Sequence, residues 1–199
     1  VSERSWRDAV FKNRGTLLAL PAVALALFGR PSAGSVALGV PVALAGEALR
    51  CWAVGYSGVT TRADHVTAPH LVTAGPYAYV RNPLYVGNFI TALGFTLGFT
   101  GRLPLVQRML VACASLGTMF GVYAAIVPLE EAYLREQFGA AFDRYSAEVP
   151  RLVPLGTAAG SRSGAYDASV IVRAETRTFV TFGLMLAALL AKTLAGRSR

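Results

Sequence analysis

The chain is short of charge, of cysteine and of strand-like alternation, and each shortage narrows what it can be. Aspartate, glutamate, lysine and arginine make up only 15% of its 199 residues, against 54% hydrophobic ones. Soluble domains carry about a quarter charged residues. With a positive mean hydropathy, the composition excludes an ordinary soluble domain and points to an integral membrane protein. The two cysteines, Cys51 and Cys113, sit inside apolar segments, which leaves neither a disulfide framework nor a zinc-ligand spacing, and no metal site is expected. Nineteen lysines and arginines against eleven acids give a net charge of +8. They are scattered between apolar runs and form no basic tract or recognition module, so the partner they imply is a membrane surface, not nucleic acid. There is no internal repeat and no sign of a second domain, so residues 1–199 read as one domain.

What is present is a series of apolar runs. Ser2 to Arg14 mixes Trp6, Val10 and Phe11 with Arg4, Arg7, Lys12 and Arg14, a pattern that predicts a helix lying in the membrane interface, or else a frayed tail. Gly15 to Phe28 is the first span and a short one; its cationic lead also resembles a signal peptide, a reading that Pro21 and the later apolar runs oppose. Ser32 to Tyr56 is the second and carries Glu47 and Arg50, three residues apart and therefore side by side on one helical face. Ionisable residues within a span point to function, but an internal pair can also be structural. Pro83 to Thr100 and Leu105 to Pro128 are the third and fourth, joined by Gly101-Arg102-Leu103-Pro104 in a tight antiparallel hairpin. After Glu130-Glu131, the residues Leu134, Phe138, Phe142, Tyr145 and Val149 continue at helical spacing out of the membrane. The prolines of Val149-Pro150-Arg151-Leu152-Val153-Pro154 end that helix. Gly156 to Gly164 is a linker, and a last helix, roughly Tyr166 to Leu194, supplies a fifth span. The expected fold is all-α and membrane-integral, with about five transmembrane helices and an N-terminal interfacial helix.

Five spans sort the cations into two sets. Arg4, Arg7, Lys12, Arg14, Arg62, Arg81, Arg135, Arg144, Arg151, Arg162, Arg173 and Arg177 fall on one side, twelve in all; Arg30, Arg102, Arg108, Lys192, Arg197 and Arg199, six in all, fall on the other. The positive-inside rule then predicts a cytosolic N-terminus and an external C-terminus, in the cell inner membrane.

One polar segment differs from an ordinary connection. His70-Leu71-Val72-Thr73-Ala74-Gly75-Pro76-Tyr77-Ala78-Tyr79-Val80-Arg81-Asn82-Pro83-Leu84-Tyr85 is rich in turns and tyrosines. It follows a long polar loop that includes Thr60 to His65. Asn82 suits a helix N-cap and Pro83 the first helical position, which would set the positive end of a helix dipole beside Arg81, an anion site.

Residues 70 to 87 and 130 to 145, followed by Val-Pro-Arg-Leu-Val-Pro, resemble the isoprenylcysteine carboxyl methyltransferase family and its phospholipid methyltransferase relatives. The match covers about half the chain, with two motifs in order around a helical hairpin. The resemblance implies a membrane enzyme that binds S-adenosylmethionine on its cytosolic side, through segments 70–87 and 128–154, and methylates a lipophilic acceptor arriving from the bilayer. It assigns the cofactor pocket to His70, Leu71, Val72, Gly75, Tyr77, Arg81, Asn82, Pro83 and Tyr85, with Glu130 and Glu131. Where the family usually has histidine, this chain has Asn82, which caps and hydrogen-bonds but cannot be protonated near neutral pH.

The residue chemistry agrees. Arg81 with the Pro83 helix start suits the cofactor carboxylate, Glu130 or Glu131 its ammonium or ribose, and Tyr77, Tyr79 and Tyr85 its adenine or sulfonium. The same residues also read blandly, as interfacial tyrosines, a lipid-phosphate arginine and a solvated helix start. An isoprenylcysteine-like carboxylate acceptor needs alignment and exclusion of water but no base, and Arg151 is the candidate to hold it. A phospholipid or small lipophilic amine or thiol would need a proton acceptor, with Glu131 or Tyr145 as candidates. Outside this class stand a nicotinamide-dependent membrane reductase and a non-enzymatic lipid-binding protein. The reductase would want more cations than Arg81 alone supplies, and the lipid binder more mid-membrane charge than Glu47 and Arg50.

Overall fold

The structure is a computed structural model describing residues 3–58, 70–154, 156, 158 and 162–196, with residues 3–5 described in backbone only. The expected loop around 60–65, parts of the linker from 156 to 164, and Arg62, Arg197 and Arg199 lie outside the described residues. Among the described residues every regular element is helical: α1 Glu3–Phe28, α2 Ala33–Ser57, a 3-10 turn Gly75–Ala78, α3 Pro83–Phe99, α4 Leu105–Phe138, α5 Ala140–Glu148 and α6 Ser169–Ala195. Four of these (α1, α2, α4 and α6) are long and apolar enough to cross a membrane. The fifth apolar helix, α3, has 17 residues, the short end of what a span requires.

The predicted break between an interfacial helix and the first span is absent. Residues 3 to 28 form one helix with Pro21 inside it, because arginine and lysine are good helix formers and nothing near Arg14 and Gly15 stops propagation. α2 starts where Ser32 and Ser35 form a reciprocal capping box, and the Ser35 hydroxyl also donates to the Gly98 carbonyl of α3 at 2.8 Å.

α2 and α3 form the tightest pair. A Cβ on Gly94 would lie 2.6 Å from the Gly39 carbonyl oxygen and 2.7 Å from the Ala43 Cα, and one on Gly87 would lie 2.6 Å from the Arg50 Cγ. Backbone thus lies on backbone, the arrangement that small residues permit where no hydrophobic effect drives helices together. Phe95 and Phe99 of α3 close one core with Leu25, Ala43, Met185 and Leu189. Met119, Val122, Tyr123, Ile126 and Val127 of α4 form a second against α1.

α4 runs on without a break through Pro128 to Phe138. Gly139 then turns the chain at φ +50°, a left-handed value natural to glycine, and α5 follows. The predicted apolar face survives this turn: Phe142, Tyr145 and Val149 are buried together, with Leu71, Leu134 and Phe138 packed against them.

Arg30, Arg102 and Lys192, three of the smaller set of cations, meet at one end of the bundle. The Arg102 backbone N–H donates to Arg30 O at 2.8 Å, and its guanidinium donates to Gly196 O at 3.0 Å. There Lys192 Nζ also donates to Leu27 O at 2.7 Å. At the other end Asp167 N donates to Gly55 O at 2.8 Å and Tyr56 packs on Tyr166 at 5.4 Å, beside the segment that begins at His70.

Candidate active site

The tyrosine-rich segment is clamped from two sides. Gly75 has φ +61°, and the Tyr56 ring lies where its Cβ would be, so the turn requires glycine twice over. Thr73 N and Ala74 N donate to Ser163 O at 2.9 and 3.1 Å, and Ser163 N donates back to the Thr73 hydroxyl at 2.8 Å. From the other side the Tyr145 hydroxyl donates to the Tyr77 carbonyl at 2.8 Å. Burial pushes the Tyr145 hydroxyl well above its ordinary pKa and the Tyr77 hydroxyl up to about 12. Tyr145 is therefore a protonated donor at neutral pH and holds the two motifs together.

Glu131 is the hub. Arg81 Nε donates to its Oε1 at 3.0 Å. Arg151 Nε donates to the same oxygen at 3.0 Å, and an Arg151 terminal nitrogen donates to Oε2 at 2.5 Å. The Arg81 terminal nitrogen also donates to Ser146 O at 2.7 Å and Val149 O at 2.6 Å, the carbonyls left over where α5 ends. Arg81 and Glu131 side chains are 12% and 8% exposed, whereas that of Arg151 is 51% exposed. The carboxylate raises the Arg151 pKa by its hydrogen bonds. Arg81 is thus mostly committed inside the protein, and Arg151 is the cation that faces outward.

Glu130 faces elsewhere. Its Oε1 accepts from the Tyr85 hydroxyl at 2.6 Å, and the Tyr85 ring packs on Tyr123 with centroids 4.3 Å apart. A carboxylate beside two aromatic rings is a setting for a cationic group.

Asn82 occupies the N-cap position of α3, and Tyr85 N and Val86 N donate to its carbonyl at 3.1 and 3.2 Å. Its side chain makes no capping bond; instead Nδ2 donates to Arg151 O at 3.2 Å. Together with Arg81 N to Pro150 O at 2.9 Å and Asn82 N to Arg151 O at 3.2 Å, it ties the first motif to the chain after α5. The expected side-chain cap is therefore replaced by a long-range bond, which satisfies a carbonyl that the proline-rich turn leaves open.

Of the residues singled out from the sequence, Arg81, Glu131, Arg151, Tyr145, Tyr77, Leu71, Asn82 and the buried Pro83 converge on one cluster. Tyr85 and Glu130 form a neighbouring pair. Val72 turns toward Gly164 and His70 is exposed at the edge.

A third polar group was only half legible. Arg50 donates to Glu175 at 2.7 Å and approaches Glu47 at 3.6 Å. It also donates to Asn88 Oδ1, and Asn88 Nδ2 donates to the Tyr123 hydroxyl at 2.8 Å. Asn88 inside the apolar run of α3 was the available signal, since polar groups in a span need partners. Glu47, Arg50, Asn88 and Tyr123, with Thr91, Thr178 and a wall of apolar side chains from α1, α4 and α6, line a cavity of about 210 Å³.

The family model described as phospholipid methyltransferase matches residues 35–141, more than half of the 199 residues. A protein-S-isoprenylcysteine O-methyltransferase of Schizosaccharomyces pombe is 38% identical over 92 residues, 46% of this chain and 34% of that protein. Probable protein-S-isoprenylcysteine O-methyltransferases of Oryza sativa subsp. indica and subsp. japonica are 28% identical over 124 residues, 59% of this chain and 60% of each relative. The chain thus spans between a third and three-fifths of the length of these curated relatives. No solved structure matches.

Proposed function

Because the chain belongs to the phospholipid methyltransferase family, we propose that it is a methyltransferase that uses S-adenosylmethionine on a lipophilic acceptor at the membrane–cytosol boundary. The observation that carries this reading is the Arg151–Glu131–Arg81 cluster beside the Tyr85–Glu130 pair. A half-exposed guanidinium, a second carboxylate and aromatic rings are the donor set that a zwitterionic sulfonium nucleoside requires. When bound, S-adenosylmethionine supplies an electrophilic methyl group on a positively charged sulfur. Glu130, with Tyr85 and Tyr123, would hold positive charge, and Arg151 an anion; Arg81 holds Glu131 and the end of α5 in place.

The relatives named as protein-S-isoprenylcysteine O-methyltransferases favour an isoprenylcysteine-like carboxylate as acceptor. Such a carboxylate is already a nucleophile, so the protein's work is orientation and exclusion of water. The state of Tyr145 suits this scheme: its proton is committed to the Tyr77 carbonyl, and Glu131 is engaged by two guanidiniums, so neither is poised to take a proton from an amine or thiol. The uneven distribution of cations supports a cytosolic site.

The test is calorimetric titration of the detergent-solubilised protein with S-adenosylmethionine and with a reduced nicotinamide cofactor, followed by incubation with methyl-labelled donor and a prenylcysteine. Binding of the first ligand and a base-labile labelled ester are expected. Binding of the nicotinamide alone, or of neither, would overturn the proposal, and label on a phospholipid amine would replace the acceptor.

A further inference from the structure

A polar chain runs from α6 to the Tyr85–Glu130 pair. Glu175 Oε2 accepts from a terminal nitrogen of Arg50 at 2.7 Å, and the other terminal nitrogen donates to Asn88 Oδ1. Asn88 Nδ2 donates to the Tyr123 hydroxyl at 2.8 Å. The Tyr123 ring packs on Tyr85, whose hydroxyl donates to Glu130 at 2.6 Å. The sense of each bond follows from the one before. A guanidinium can only donate, so Asn88 must turn its carbonyl to Arg50 and its amino group to Tyr123. The start of the chain is well fixed: Glu175 is 1% exposed and Arg50 8%, and Glu47 and Thr178 flank the guanidinium at 3.6 and 3.4 Å.

Other contacts also dock α6. Met185 and Leu189 bury α6 against Phe95 and Phe99, and Lys192 binds the Leu27 and Gly29 carbonyls at 2.7 and 3.1 Å. What Glu175 adds is a fixed orientation for Arg50, and through it for Asn88 and Tyr123.

We infer that Glu175 is a positioning residue: through Arg50 and Asn88 it sets the place of Tyr123, and thereby of the Tyr85 hydroxyl on Glu130. α6 lies outside the residues 35–141 that match the family. The consequence for ligand affinity rests on the proposed function of Tyr85 and Glu130; the positional link does not.

The experiment places 3-fluorotyrosine at position 85 of the full chain in lipid nanodiscs and records its fluorine resonance. Glu175→Ala and Asn88→Ala should each shift or broaden it, while Glu175→Gln, which keeps an acceptor for Arg50, should restore it. Thr176→Ala, on the exposed side of α6, should leave it unmoved. If Glu175→Ala does not fold, Glu175→Asp decides, because it keeps the charge but draws the carboxylate back from Arg50, and it should shift the resonance. An unmoved resonance in the folded variants overturns the inference. In the same samples Glu175→Ala should weaken S-adenosylmethionine binding about tenfold, an ordinary size for coupled sites, and much less in a Tyr85→Phe background. A wild-type protein that binds no S-adenosylmethionine but whose resonance answers to Glu175→Ala would sink the proposed function and leave the positional link standing. A protein that binds the ligand but shows no change in resonance would do the reverse.

Discussion

The Arg151 guanidinium grips both oxygens of the Glu131 carboxylate, with Nε on Oε1 at 3.0 Å and a terminal nitrogen on Oε2 at 2.5 Å. Arg81 binds the same carboxylate from the protein interior, so one acid is shared between an inward and an outward cation. Glu131→Gln should therefore lose S-adenosylmethionine binding and also stability, by about 3 kcal/mol, since it removes the charge that balances the buried Arg81 guanidinium. Thermal melting of the solubilised protein together with calorimetry checks this. Normal binding with lost turnover would instead make Glu131 a proton acceptor.

The two arginines should part company when replaced. Arg81→Ala removes bonds to Ser146 O and Val149 O as well as the ion pair, and should destabilise by several times more than Arg151→Ala, whose half-exposed pair is worth about 1 kcal/mol or less. Arg151→Ala should fold and fail mainly in methyl transfer, seen as lost labelled ester with a nearly unchanged melting temperature.

Tyr85→Phe removes one hydrogen bond to Glu130 and keeps the ring on Tyr123. A hydrogen bond to a charged group is worth about 1.5–3 kcal/mol, so affinity for S-adenosylmethionine should fall about 10- to 100-fold with the fold intact. Equal affinity in calorimetry would remove Tyr85 from the site.

Alkaline pH should loosen the joint between the motifs. The Tyr145 hydroxyl is raised above its ordinary value and that of Tyr77 reaches about 12, so the folded chain holds these protons more tightly than the unfolded one. The stability they contribute is complete below about pH 10, the ordinary tyrosine value, and is lost as pH rises toward 12. Melting temperatures taken from pH 8 to 11.5 should fall beyond pH 10, with a shallower decline in Tyr145→Phe.

Much of the fold was legible because spans announce themselves by length and apolarity, and because Gly101 to Pro104 is too short for anything but a hairpin. The face of Leu134, Phe138, Phe142, Tyr145 and Val149 was readable from spacing, even across the turn at Gly139. What the sequence withheld is pairing at long range. Glu175 meets Arg50 across 125 positions and Asn82 reaches Arg151 across 69, and no local period encodes either. α1 was misread for a related reason: cations that looked like a boundary in the membrane are no boundary to the helix backbone.

The backbone contact between α2 and α3 has one more consequence. The start of α3 carries Asn82 and Pro83 into the site, and its glycines press directly on Gly39 and Ala43 of α2, whereas a Cβ on Gly15 of α1 or Gly183 of α6 would point into open space. No side chain fits between the two helices at these glycines. A residue with a Cβ at Gly39, Gly87 or Gly94 would therefore force α2 and α3 apart and carry Asn82 and Pro83 out of register with Arg151.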